Sequence, residues 1–126
     1  MPLVKIHLIK GKSEQYKRAI ADGIHAALVA AANVPPADRF QLIFEYEQTA
    51  IIADPAYAGA SRSLNCVIIE IVLNSGRSLE TKKDLYAAIA KNLSENPKLR
   101  GDDVMISLQE VTKENWSFAR GIAQYA

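Results

Sequence analysis

One cysteine, Cys66, is all the sequence contains. A single thiol excludes an internal disulfide and fits a reducing, cytoplasmic setting. It lies inside the apolar run NCVIIEIVL and reads as a small buried hydrophobe rather than a reactive nucleophile. No apolar run is long enough to cross a membrane. The N-terminus lacks the charged start, long apolar stretch and small-residue cleavage site of a signal peptide. Basic blocks are also missing: 15 lysines and arginines stand against 14 acids, for a formal net charge of +1, which argues against nucleic acid as a partner. Two histidines, His7 and His25, have no paired carboxylate or cysteine nearby in sequence. No metal-ligand spacing exists.

What is present suits one domain over 1–126: 49% of the 126 residues are hydrophobic, enough for a packed core. The chain also repeats itself. Moved along itself until GKS (Gly11–Ser13) falls on GRS (Gly76–Ser78), it also matches Ile20, Ile24 and Leu28 to Leu85, Ile89 and Leu93, and Asp38 to Asp103. Each half, about 2–47 and 66–111, has one plan. An apolar strand comes first (Leu3 to Ile9; Cys66 to Leu73). A glycine, a cation and a serine N-cap follow. A helix with apolar residues every three or four positions runs to about Ala32 or Leu93. A second strand closes the half (Phe40 to Tyr46; Val104 to Glu110). The fold expected is α+β: a tandem β-α-β repeat, with right-handed crossovers and a four-stranded sheet carrying both helices on one face. The other face is expected to be apolar and bare in one chain, so an oligomer is expected. Between the halves, the long connection Glu47 to Ser63 contains AIIAD, a candidate for a short extra strand. A tail, 112–126, ends the chain.

The opening MPLVKIHLI poses one puzzle. Proline cannot donate to a sheet, and its plain reading is a residue tolerated at a strand start. If Met1 is removed, however, Pro2 carries a free secondary amine. An α-amino group titrates at about 7.7–8.0 when unperturbed, close to where a general base works best.

The residues MP before a strand, the turns KGKS and GRS, VPPADRFQ (Val34–Gln41), DDVMISL (Asp102–Leu108) and the tail ENWSFARGIAQYA resemble the tautomerase superfamily. The likeness is to its longer, fused members in the branch that contains malonate semialdehyde decarboxylase. It covers nearly the whole chain. It implies a homotrimer acting on a small carboxylate substrate, with Pro2, Asp38 and Arg77 as catalytic residues and no metal or organic cofactor. Arg77 offers a planar cation for a substrate carboxylate. Its repeat mate Lys12, together with Arg62, is a further candidate for substrate binding. Trp116 and Phe118 are expected to fold over the site as an apolar wall. Each has a plainer alternative: a solvated loop for Arg77, a turn for Asp38, sheet packing for the two aromatics. The match departs at one place. The decarboxylase has a second arginine two positions before the one matched by Arg77, where this chain has Ser75, with Gly76 rather than proline between them. A two-arginine clamp is therefore not evident. The leading expectation is keto–enol tautomerisation of a 2-oxo acid such as an arylpyruvate. The alternatives are a lyase acting on a three-carbon acid, by decarboxylation or hydration, and a non-catalytic trimeric binding protein.

Overall fold

The computed structural model describes residues 1–126. Strand β1 (Leu3–Ile9) leads to helix α1 (Glu14–Ala31) and strand β2 (Phe40–Tyr46); β3 (Val67–Asn74), α2 (Leu79–Glu95) and β4 (Val104–Val111) repeat the plan. The serines cap as expected: Ser13 Oγ accepts from the Tyr16 amide at 3.0 Å and Ser78 Oγ from that of Thr81 at 3.1 Å. Gly11 and Gly76 precede them at φ +102° and +121°, a region nearly closed to residues with a Cβ. The same turn is thus built twice by the same residue.

The sheet order is β2-β1-β3-β4. Each half pairs its own strands in parallel, and the halves meet through β1 and β3, which run antiparallel with Leu3 opposite Val72 and His7 opposite Ile68. Alternation sorts the side chains between the two faces. Val4, Ile6, Leu8, Val67, Ile69, Ile71 and Leu73 face the helices and are buried. Ile20, Ile24 and Leu28 of α1, and Leu85, Ile89 and Leu93 of α2, close over them. The helices touch closely at Gly23, where an added Cβ would stand 2.9 Å from a Leu93 methyl. The Asn92 amide donates to the Gly23 carbonyl at 2.9 Å.

Two expectations, and one of the plainer alternatives, need correcting. The segment AIIAD is not a strand. It follows a short 3-10 turn and runs as irregular chain; Pro55 ends it, and Ile52 is 93% exposed with no neighbouring strand to pair. The open sheet face is mixed rather than apolar. Its β2 edge is apolar, with Phe40, Leu42 and Phe44 all exposed, but its middle holds a polar chain: the Tyr46 hydroxyl to His7 Nδ1 at 2.5 Å, and His7 Nε2 to Glu70 at 2.6 Å. Glu70 is His7's partner from another strand, which local sequence did not show. Third, Arg77 is not a solvated loop residue but is bonded to α1 and β3, as described below. Cys66 is buried, and burial raises its thiol pKa above the ordinary value. No helix is long and apolar enough to cross a membrane.

The long connection is tied down at its far end. Asp103, 1% exposed, accepts from the Ser63 amide at 2.6 Å and the Ser63 hydroxyl at 2.7 Å, and Arg100 donates to the Ser61 carbonyl at 2.9 Å. Removing a buried acceptor strands its donors, at a cost of about 1–3 kcal/mol. Asp103→Ala should therefore lower stability by roughly that amount in chemical denaturation, and an unchanged midpoint would show that the anchor is not needed.

Candidate active site

The antiparallel joint sets the site. Carried two residues past Leu3–Val72, its register puts the start of the chain beside Asn74. The parallel pair Leu3–Phe40 puts Asp38 just ahead of β2 at the same end. Asn74 pairs with Val111 at the end of β4, so the tail also leaves from here. Pro2, Asp38, Arg77, Trp116 and Phe118 thus come together at one end of the sheet.

Asp38 is 7% exposed, and neither of its carboxylate oxygens accepts a hydrogen bond. It pairs with the α-amino group of Met1, 3.7 Å from Oδ2. A buried carboxylate normally carries donors, because leaving it without them costs several kcal/mol. Its repeat mate Asp103 is fully provided for. The repeat therefore holds an aspartate twice, once as an anchor and once aimed at the first nitrogen of the chain. With Met1 in place the Pro2 nitrogen is an amide; without it, the nitrogen is an amine.

Arg77 is partly buried. Its Nε donates to the Ala32 carbonyl at the C-terminus of α1 (3.0 Å) and its Nη1 to the Asn74 carbonyl (3.1 Å), while Nη2 makes no hydrogen bond within the chain. The side chain is therefore held in one pose with one corner free. Glu110 lies nearby. Hydrogen bonding to Lys82 holds its carboxyl below the ordinary range, with smaller effects from the Gly76 amide and the Arg77 charge.

The wall is aromatic. Trp116 and Phe118 stack with centroids 5.3 Å apart, Phe118 stacks on Phe40 at 5.9 Å, and Tyr125 meets Phe118 edge-on at 5.9 Å. The Trp116 indole nitrogen donates to Asn74 Oδ1 at 2.7 Å. The tail keeps this shape through Gln124, which accepts from the Phe118 amide and donates to the Ala119 carbonyl. Phe40 and Asn74 were not legible in sequence, because they join the site only through strand register.

Lys12 and Arg62 do not join this group within one chain. Lys12 follows the other end of β1 and donates to Asn65 at 2.7 Å. Arg62 is held by the Asp54 and Tyr57 carbonyls at 3.1 and 2.7 Å. The larger grooves of the single chain also lie elsewhere. One of about 320 Å³ is lined by His7, Tyr46, Ile51, Ile52 and Glu70. No three His, Cys, Asp or Glu side chains gather in a way that could hold a metal ion.

Two family models described as "Tautomerase enzyme" match residues 38–119 and 2–60. A probable tautomerase of Bacillus subtilis, YusQ, is 37% identical over 124 residues, 98% of each chain. The crystal structure of FG41 malonate semialdehyde decarboxylase inhibited by 3-bromopropiolate is 40% identical, covers 98% of this chain and 93% of its own, and superposes with a TM-score of 0.92. A fused 4-OT, described as a symmetric trimer, shares the fold at 24% identity and a TM-score of 0.80, over 98% of this chain and 97% of its own. The chain belongs to the tautomerase superfamily, in a branch like that of malonate semialdehyde decarboxylase.

Asp38→Asn should leave stability unchanged to within about 1 kcal/mol, since no hydrogen bond is lost and the 3.7 Å contact with the Met1 amine is offset by relief of the carboxylate's desolvation. A loss of stability as large as that of Asp103→Ala would show that Asp38 is an ordinary structural acid.

Proposed function

We propose that this protein catalyses keto–enol tautomerisation of a small 2-oxo acid, with the amine of Pro2 as general base once Met1 is removed. The observation that carries this is the buried Asp38 carboxylate, which accepts no hydrogen bond and lies 3.7 Å from the Met1 nitrogen, one residue from that of Pro2. In the enol-to-keto direction the neutral amine takes the enol hydroxyl proton. The oxygen electron pair closes to C=O, the C=C pair moves to C3, and the Pro2 ammonium returns the proton there. Asp38 orients the ammonium. Arg77 binds the substrate carboxylate through its free Nη2 and favours negative charge on the enolate oxygen. Trp116 and Phe118 cover the substrate's apolar side. Lys12 and Arg62 reach such a site only from a neighbouring subunit.

The assembly proposed is a homotrimer. Its support is the sheet face left uncovered by one chain, with exposed Phe40, Leu42, Phe44 and Met105. Light scattering at micromolar concentration should give three times the monomer mass; a stable monomer would overturn this.

The kinship with a decarboxylase favours one second reading, a lyase that uses protonated Pro2 to polarise substrate while Asp38 activates water. The two readings differ in sign with pH. Tautomerase activity on phenylpyruvate enol should rise through the amine's titration and then level, whereas a lyase on malonate semialdehyde should fall over the same range. Pro2→Ala keeps an amine and should retain reduced activity; a form that keeps Met1 should be almost inactive. Full activity with Met1 attached would remove the amine from the mechanism and leave Pro2 as a strand-end residue in a binding protein. Arg77→Ala should cost about 1.5–3 kcal/mol in kcat/KM on carboxylate substrates. Because Arg77 also ties α1 to β3, a modest fall in Tm should accompany that loss.

A further inference from the structure

We propose that Asp22 and His25 of α1 are positioning residues for Asp38: together they fix the backbone on either side of it, and so set where its carboxylate stands at the start of the chain. This rests on the tautomerase reading, in which Asp38 orients the Pro2 ammonium, and deepens it by naming what holds Asp38 in place.

The segment that carries Asp38 has few ways to be held. The Asp38 carboxylate accepts no hydrogen bond, so the chain on either side must fix it. Pro35 and Pro36 have no N–H, which leaves only their carbonyls as anchors. The Pro35 carbonyl accepts from the Asp38 amide at 2.9 Å and closes a turn. The Pro36 carbonyl lies 2.8 Å from His25 Nε2; a carbonyl only accepts, so His25 donates. On the far side of Asp38, Arg39 donates through Nη2 to Asp22 Oδ1 at 2.6 Å and through Nε to Gln41 Oε1 at 2.7 Å. The bond from Arg39 holds the Asp22 carboxyl below the ordinary carboxylate range. Residues three apart on a helix share a face. Asp22 and His25 are thus two points of one rigid support, gripping the residue two before Asp38 and the residue one after it.

The repeat supplies an internal control. In the second half the places of Asp22 and His25 are taken by Ala87 and Ala90, and those of Pro36 and Arg39 by Gly101 and Val104. None of these four side chains can make a hydrogen bond. Asp103 needs no such support, because Ser63 bonds its carboxylate directly. A joint that the β-α-β plan required would be gripped in both halves. The grip is found only in the half whose aspartate has no donor of its own, as a device for aiming Asp38 requires.

The test reads the Pro2 amine rather than turnover. In the chain without Met1, the amine is titrated by NMR. A neighbouring carboxylate stabilises the ammonium, so Asp38→Asn should lower the amine pKa by about one unit or more. His25→Ala and Asp22→Asn should each lower it by about half a unit, by letting the carboxylate move away. In the Asp38→Asn background neither exchange should add anything, since no carboxylate is left to misplace; this cycle also cancels the direct effect of the charge lost at position 22. His25→Gln offers a nitrogen donor again and should restore the parent value. Asp22 is exposed, so its exchange keeps the test open should His25→Ala not fold. A role in stability alone predicts a lower Tm with the amine unmoved. The proposal is overturned if either exchange leaves the amine pKa of the folded chain at the parent value, if it lowers it equally in both backgrounds, or if His25→Gln behaves as His25→Ala. In those cases a shift with Asp38→Asn would leave the tautomerase reading standing. The full set of shifts without turnover of phenylpyruvate enol would instead overturn that reading and keep the grip.

Discussion

The antiparallel pairing of β1 with β3 is the interaction on which the rest depends. Each β-α-β half pairs its own strands, but neither half buries its helix well alone. The joint between them makes one sheet and one core. It also sets direction: the first residue of the chain comes to lie where β3 ends. Had the halves joined in parallel, Pro2 would sit beside the start of β3 and far from Arg77. The core and the site are therefore consequences of one register.

That register also explains why duplicated residues have separated in role. Asp38 and Asp103 hold matching places before the closing strand of each half, and both are buried. At Asp103 the connecting segment supplies the donors, through Ser63. At Asp38 no such donor is supplied, and the neighbour is the Met1 amine, 3.7 Å from Oδ2. The cations diverge in the same way. Arg77 is pinned by the end of α1 and by Asn74, whereas Lys12 reaches only Asn65. The proposed site thus lies at one end of the sheet and the Asp103 anchor at the other.

Much of this was legible in the chain. Apolar periodicity located both helices, and the repeated glycine-cation-serine turns located the caps, because these are local rules. The strands were found to within a residue or two at their ends. Pro2 stood out as a candidate because its amine would be free without Met1, whereas Asp38 was proposed through resemblance, since an aspartate alone says little. What could not be read was relational. Asn74, Phe40, and the pairing of His7 with Glu70 depend on which strands lie side by side. The AIIAD segment has strand-like composition but no partner edge, and composition without a partner does not make a strand. The polar centre of the open face was hidden because Lys5, His7, Glu70 and Ser107 come from three strands.

The close contact of the two helices at Gly23 has a consequence for how such a chain can change. Its repeat mate is Ala88, so the crossing sets a glycine in one half against a different residue in the other. Two identical copies of a single half, related by a twofold axis, could not do this: every substitution would occur on both sides at once. Joining the copies in one polypeptide lifts that restriction. A bulky side chain on one helix can be met by a missing one on the other, and a charge gained at one end need not be mirrored at its counterpart. Covalent linkage thus releases each half from being its own partner.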